Sequence, residues 1–341
     1  MSFLGYVFKR ILISIPVVFG VLTITFFLSR AMPGDPVMQL LLQAQVRQDY
    51  GMYHQIVNQL GLNLPLHLQY FKYLVDIFTG NWGESIVYAR GSAVWDLIIF
   101  RLPKTIDLAF FAMVIASFVG VKIGIISATH RNKLRDTIFR SIGIIGAAFP
   151  VFVLGMLLQY WIAYRFPIFP IASYKNVAYP DPPFVTGFYM IDALIAGELY
   201  KIADYLYHLI LPILCLSFVT LAGIVRQSRS SMLEVLQQDY VRTAKAKGCM
   251  RKRVIKDHAL KNSLIPTITV IGLNVATVLS GAVLLESTFG LPGMGLLIVE
   301  AALYRDYWLL ISCMVVLAFI YIFTTLILDI IYGIIDPRIR F

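Results

Sequence analysis

Charge is what this chain has least of. Asp, Glu, Lys and Arg make up 14% of its 341 residues, where soluble chains average about 25%. That deficit excludes an ordinary soluble domain, and the 59% hydrophobic content assigns the difference to lipid. Cysteine is scarce too. Cys215, Cys249 and Cys313 are far apart and form no CxxC pair, which excludes a disulfide framework or a zinc site and leaves small core residues and one loop thiol. The five histidines are scattered without ligand spacing. No GxxxxGK[ST], HExxH or GxSxG motif occurs, so the chain cannot cradle a nucleotide in a P-loop, and a hydrolytic or redox enzyme is disfavoured. Internal repeats and low-complexity tracts are absent. The net charge of +10 does not imply nucleic acid, because the basic residues flank apolar runs, as membrane topology demands.

Six runs are long enough to cross a bilayer, which takes about 20 mainly apolar residues: residues 11–29, 105–128, 137–164, 206–225, 264–285 and 308–332. The first lacks a small-x-small cleavage site and reads as a retained helix, not a signal peptide. The predicted fold class is therefore an all-α, multi-pass membrane protein with six transmembrane helices. Eighteen of the 29 Lys and Arg fall on one side: Lys9 and Arg10, Arg131 to Arg140, ten within Arg226–Pro266, and Arg338 with Arg340. The positive-inside rule then places both termini in the cytoplasm of a cell-membrane protein.

This topology divides the chain into a tail and first helix (1–29), an external cap (30–104) and a five-helix core (105–341) with a cytoplasmic loop at 226–266. The cap carries PGDP (Pro33–Pro36), LGLNLP (Leu60–Pro65) and GNWGES (Gly80–Ser85), and its aromatic, Gly and Pro content suggests a small folded unit. The other long external segment, 165–205, contains YPDPPF, which cannot be helical. Ionisable groups inside spans are costly. Lys122 can snorkel to the headgroups, and Asp329 can pair with Arg338 or a neighbouring helix. Gln159, Asn274 and Ser280 are the polar groups nearest mid-bilayer. Interhelical hydrogen bonding accounts for them, with contact to a translocated substrate as the other reading.

The stretch Arg226–Pro266 is the one long polar run in the second half of the chain. Ser231 and Glu234 have capping-box spacing and predict a helix start. Leu233, Leu236, Tyr240, Val241 and Ala244 follow near helical spacing, Lys245 and Lys247 suit a C-terminal turn, and Gly248 supplies a stop. A second pattern, Val254 to Asn262, ends at Pro266. Ala244, Ala246 and Gly248 form a small-residue face open to a partner. The competing reading is a basic loop resting on anionic headgroups.

DYVRTAKAKG (Asp239–Gly248), followed by HALKNSLIP (His258–Pro266), resembles the cytoplasmic signature loop of ABC importer permeases, in the dipeptide, oligopeptide and nickel branch. PGDP, LGLNLPLHLQY, RLPKT (Arg101–Thr105), ESTFGLPGMG (Glu286–Gly295), RDY (Arg305–Tyr307) and DPRIR (Asp336–Arg340) extend the likeness over nearly the whole chain. The E-A-A form of the loop is here Arg242-Thr243-Ala244, as is usual in this branch.

The resemblance implies the type I importer permease fold and an ATP-driven importer. Its parts would be a second homologous permease, two cytoplasmic ATPases that carry ATP and Mg, and an external solute-binding protein, with no cofactor on this chain. It further implies that Asp239, Tyr240, Arg242, Thr243, Ala244, Ala246 and Gly248 couple to an ATPase. Glu286, Phe289, Pro292 and Gly293 are candidate binding-protein contacts, and Gln159, Asn274 and Ser280 are candidate pathway residues. Peptide is the expected cargo, with oligosaccharide, glutathione or nickel chelate as alternatives. A stand-alone secondary transporter or channel would call for inverted repeats and interrupted midplane helices with ionisable groups, which the sequence does not show.

Overall fold

The computed structural model describes residues 3–31, 53–54, 57–58 and 61–335, without the side chains at 3, 4, 276, 277, 280 and 331–335. PGDP, Leu60, the DPRIR tail and the side chain of Ser280 therefore lie outside the described residues. Among those residues every extended element is a helix, and one isolated β-bridge joins Glu84 to Ala93. The chain runs α1 (Phe3–Ala31), α2 (Leu66–Thr79), α3 (Val94–Thr129), α4 (Leu134–Ala148) and α5 (Val151–Leu158), which continues as a π-helical stretch over Gln159–Arg165. Then follow α6 (Tyr189–Ile195), α7 (Leu199–Val235), α8 (Asp239–Ala246), a turn and π-helical stretch over 251–259, α9 (Leu260–Phe289), α10 (Met294–Leu303) and α11 (Tyr307–Ile335).

Four of these are long and apolar enough to cross a membrane: Gly5–Ala31, α3, α7 and Tyr307–Ile330. Two bent pairs, α4 with Val151–Arg165 and Gly281–Phe289 with α10, raise the number to six if each pair is one span. The span expected at 137–164 is thus not one straight helix. It turns by 104° at Phe149–Pro150, because proline offers no N–H and pushes the residue before it to extended backbone; Phe149 has φ −85 and ψ 126. The second pair bends by 77° at Gly290, whose φ of +59 suits glycine.

Several boundaries differ from expectation, two of them by ten residues or more. Residues 94–104, assigned to the cap, are the first turns of α3, and α7 continues ten residues past the predicted end of its span at 225.

The helices α3, α7 and α9 form the centre, and α1 packs on α11 at the periphery. Small residues make the centre possible. Ala112, Ala116, Gly120, Gly124 and Ala128 recur every fourth residue along α3 and are all buried, the spacing that brings membrane helices close. A Cβ on Gly124 would lie 2.4 Å from Ser228 Cβ, and one on Gly120 2.9 Å from Ile224 Cγ2. At the end carrying both helix termini, Asp329 pairs with Arg10 at 2.9 Å and its carbonyl accepts from the Tyr6 hydroxyl. A neighbouring helix is therefore the partner of Asp329. Lys122 rests over the Phe118 ring, 3.9 Å from its centroid.

Candidate functional site: an exposed helix on a buried anchor

The polar stretch is not capped at Ser231. That residue lies inside α7, is buried, and accepts a hydrogen bond from Gln227. The capping-box pattern was overridden because α7 runs on to bury Met232 against Ala128 and Ala259. The separate helix, α8, starts seven residues later than expected, with Gln238 as its N-cap and Asp239 in its first turn, where a carboxylate suits the helix dipole.

Its end is as expected. Gly248 has φ +80; its N–H bonds to Lys245 O at 3.0 Å, and Cys249 N–H bonds to Ala244 O at 3.2 Å. These two bonds form a Schellman stop, which needs a left-handed residue at that position. No atom lies within 4 Å of a Cβ placed on Gly248, so its requirement is conformational, not steric.

The helix has two faces. Val241 and Ala244 are buried on Val254, with Val235, Leu236 and Cys249 around them. Asp239, Tyr240, Arg242, Thr243, Ala246 and Gly248 are exposed. Burying a valine is worth about 1.5–3 kcal/mol, whereas an exposed ion pair such as Arg242–Asp239 (3.3 Å) contributes about 0–1 kcal/mol. The apolar face therefore decides where the helix sits. Ala244 belongs to this anchor, so the small-residue face expected from the sequence is divided: Ala244 points inward, while Ala246 and Gly248 face out.

Two polar contacts tie the region to the spans. Asn262 Nδ2 donates to the Tyr240 hydroxyl at 2.8 Å, and the Arg251 guanidinium donates to the Thr129 carbonyl at the end of α3.

Behind α8 lies a group that the sequence reading missed. Asp136 is 1% exposed and holds three segments together. Arg229 of α7 donates to it twice, Nε at 2.7 Å and Nη2 at 2.9 Å. Ser127 of α3 and the Asn132 backbone N–H donate as well. A buried carboxylate is tolerable only when so fully paired. Its signal in the sequence was one acidic residue inside a basic turn; its partner, 93 residues away, was not legible.

At the opposite end, the four residues expected to contact a binding protein are largely internal. Glu286 is 1% exposed and Phe289 2%, and Gly293 is buried. Glu286 accepts from Thr105 Oγ1 at 2.6 Å and from the N–H groups of Gly295 (2.6 Å) and Leu296 (3.2 Å). It neutralises the N-terminus of α10, a favoured place for an anion. Gly293 is glycine because a Cβ there would lie 2.3 Å from the Glu286 carboxyl carbon. Glu286, Phe289 and Gly293 thus have internal partners in this fold, and Pro292 is partly exposed.

Of the pathway candidates, Gln159 is also occupied: its Nε2 donates to Ile171 O at 2.8 Å and Thr288 O at 2.9 Å. Asn274 Nδ2 is buried, with no hydrogen-bond partner among the described residues.

The sequence profile of a family described as "Binding-protein-dependent transport system inner membrane component" matches residues 120–341. The companion profile for the N-terminal part of such components matches residues 3–109. The chain belongs to this family. The Di/tripeptide transport system permease protein of Pseudomonas aeruginosa is 38% identical over 337 residues, covering 99% of both chains. The Dipeptide transport system permease protein of Escherichia coli is 36% identical over 339 residues, again covering 99% of both. The Oligopeptide transport system permease protein of Bacillus subtilis is 34% identical over 337 residues with the same coverage. As a member of the family, the chain is a membrane-spanning permease subunit of an ABC importer, and α8 lies within the matched residues 120–341, directly after α7.

Proposed function

We propose that this permease carries peptides across the cytoplasmic membrane, as half of a translocation pathway completed by a second homologous permease. Two ATPases on separate chains hold ATP and Mg, and a solute-binding protein delivers the cargo from outside. The concentration of Lys and Arg at the end carrying α8 supports a cytoplasmic location for that end and for both termini. The observation that carries the reading is α8 itself. An eight-residue helix is held by Val241 and Ala244 while Tyr240, Arg242, Thr243, Ala246 and Gly248 face outward, as a docking element requires. Peptide as cargo rests on the relatives, which are peptide transport permeases.

In this mechanism ATP binding draws the ATPases together, and the paired α8 helices follow. The Val235–Leu236 turn and the Arg229–Asp136 pair pass the motion to α7, α3 and α4. ATP drives the change only by its differential affinity for the two states. The test is co-purification of the ATPases with the permease, coupled to peptide uptake in reconstituted vesicles. Thr243→Glu with Ala246→Glu places charge on the outward face without touching the anchor. It is expected to abolish both ATPase retention and uptake while membrane insertion persists. Retained ATPase binding overturns the docking assignment. Uptake of an oligosaccharide, glutathione or nickel chelate in place of peptide overturns the cargo.

A further inference from the structure

The helix α2 was expected in an external cap, yet it lies along the span α1. From Arg10 to Arg30, α1 rises about 30 Å, the thickness of the hydrocarbon core. The contacts of α2 descend this ladder. Arg30 Nη2 donates to Gln69 at 3.1 Å; the Tyr73 hydroxyl meets Thr25 Oγ1 at 3.0 Å and that of Tyr70 meets Thr23 Oγ1 at 2.7 Å. Finally the Phe78 ring lies 6.0 Å from that of Phe19, near the middle of α1.

Three faces result. Tyr73, Leu74 and Ile77 pack inward with Leu22 and Ile311. Leu68, Phe71, Val75 and Phe78, at positions 3, 4 and 3 apart, are 45–62% exposed. Phe78 adjoins Phe19, which is itself exposed on α1. An apolar face at that depth along a span suits contact with acyl chains.

The third face turns Gln69, Lys72 and Asp76 into a cavity of about 190 Å³ that Arg30, Trp82 and Trp308 close. The Arg30 guanidinium donates to Gln69 and Ser29 and stacks on Phe26 (4.3 Å) and Trp308 (6.0 Å). Among the described residues no carboxylate pairs with it. Asp76 Oδ1 accepts from Asn81 Nδ2 at 3.2 Å. Two cations, Arg30 and Lys72, and one carboxylate, Asp76, thus line one small cavity that runs inward from the Arg30 end of α1, with two indoles beside it. A guanidinium recognises a phosphodiester through its fork of donors, and a carboxylate recognises a primary ammonium.

We propose that α2 is embedded in the leaflet opposite the termini, and that the cavity beside it holds the phosphoethanolamine headgroup of a phospholipid. That leaflet is the outer one in the orientation proposed above; the lipid site itself does not depend on the orientation.

The experiment uses the assembled importer in mixed micelles of phosphatidylethanolamine and phosphatidylglycerol, with retained lipid read by native mass spectrometry. The wild type is expected to retain phosphatidylethanolamine, with roughly tenfold less on the Arg30→Gln and Asp76→Asn variants. Equal retention of both lipids, or equal retention by wild type and variants, overturns the headgroup site. Displacement of the lipid by millimolar inorganic phosphate overturns it in favour of a free anion. A nitroxide on Phe71→Cys, in a Cys249→Ser background, tests the embedding independently of headgroup binding. Faster collision with oxygen than with a water-soluble nickel chelate is expected, and the reverse overturns it.

Discussion

Arg229 reaches Asp136 with both prongs of its guanidinium, at 2.7 and 2.9 Å, and this pair joins the α8-bearing end of α7 to the start of α4. Through Ser127 and Asn132 the same carboxylate also holds the end of α3 and the turn after it. Three segments that must move together if α8 transmits a stroke are thus fixed to one another by a single acid.

Removing one partner of a buried pair costs about 3–5 kcal/mol, because the other is left uncompensated. Asp136→Asn is therefore expected to lower the melting temperature and the yield of folded permease. Arg229→Lys keeps the charge and loses the fork, so it is expected to give an intermediate loss. Thermal unfolding of the purified importer checks the order wild type, Arg229→Lys, Asp136→Asn.

Val241 is fully buried beneath α8. Val241→Asp places a charge in that contact and is expected to release the helix, so that transport and ATPase retention fall together while insertion is unaffected. Val241→Ile, a change of one methylene, is expected to retain most activity. Protease accessibility at Arg242 and Lys245 reports release directly.

At Gly248 the constraint is φ alone. Gly248→Ala has room for its methyl group but must adopt a left-handed conformation, at about 1–2 kcal/mol. A several-fold weaker ATPase interaction is expected, and Gly248→Asn, which tolerates that conformation better, is expected to restore part of it. Gly295 has the opposite problem. A Cβ there would lie 2.2 Å from Val283 Cα, so Gly295→Ala is expected to disrupt the α9–α10 bend and to fail at assembly, read by size-exclusion profile.

Asp192 accepts from the Thr186 hydroxyl and from the N–H groups of Thr186 and Gly187. Burial raises its pKa, but the Thr186 side-chain bond and the backbone N–H bonds outweigh burial and leave it below the usual carboxylate value. A depressed folded pKa contributes stability above the unfolded value, about 3.9, and that contribution is lost as pH falls through the folded pKa. The 165–198 segment is therefore expected to become protease-sensitive below about pH 4. In Asp192→Asn this acid step is expected to disappear, with lower resistance at neutral pH; limited proteolysis across pH checks both.

Composition determined that the protein lies in a membrane, because so little charge over so many apolar residues leaves no other medium. Hydropathy located the four unbroken apolar helices, and Gly248 marked a helix end, since a left-handed stop is a property of one residue and its neighbours. Only the tertiary structure decided what the polar residues do. Ser231 has the spacing of a cap but sits mid-helix, because burial of Met232 outweighs a local hydrogen bond. Glu286 and Phe289 look like surface residues of a turn, yet the bend after α9 folds them inward. Residues 66–79 look like part of an external cap, and only the structure shows that α2 lies against α1 with an apolar face outward. Local patterns report what a backbone can do over one or two turns. Which partner a side chain meets depends on distant segments brought together, as Asp136 and Arg229 are, and no window along the chain contains both.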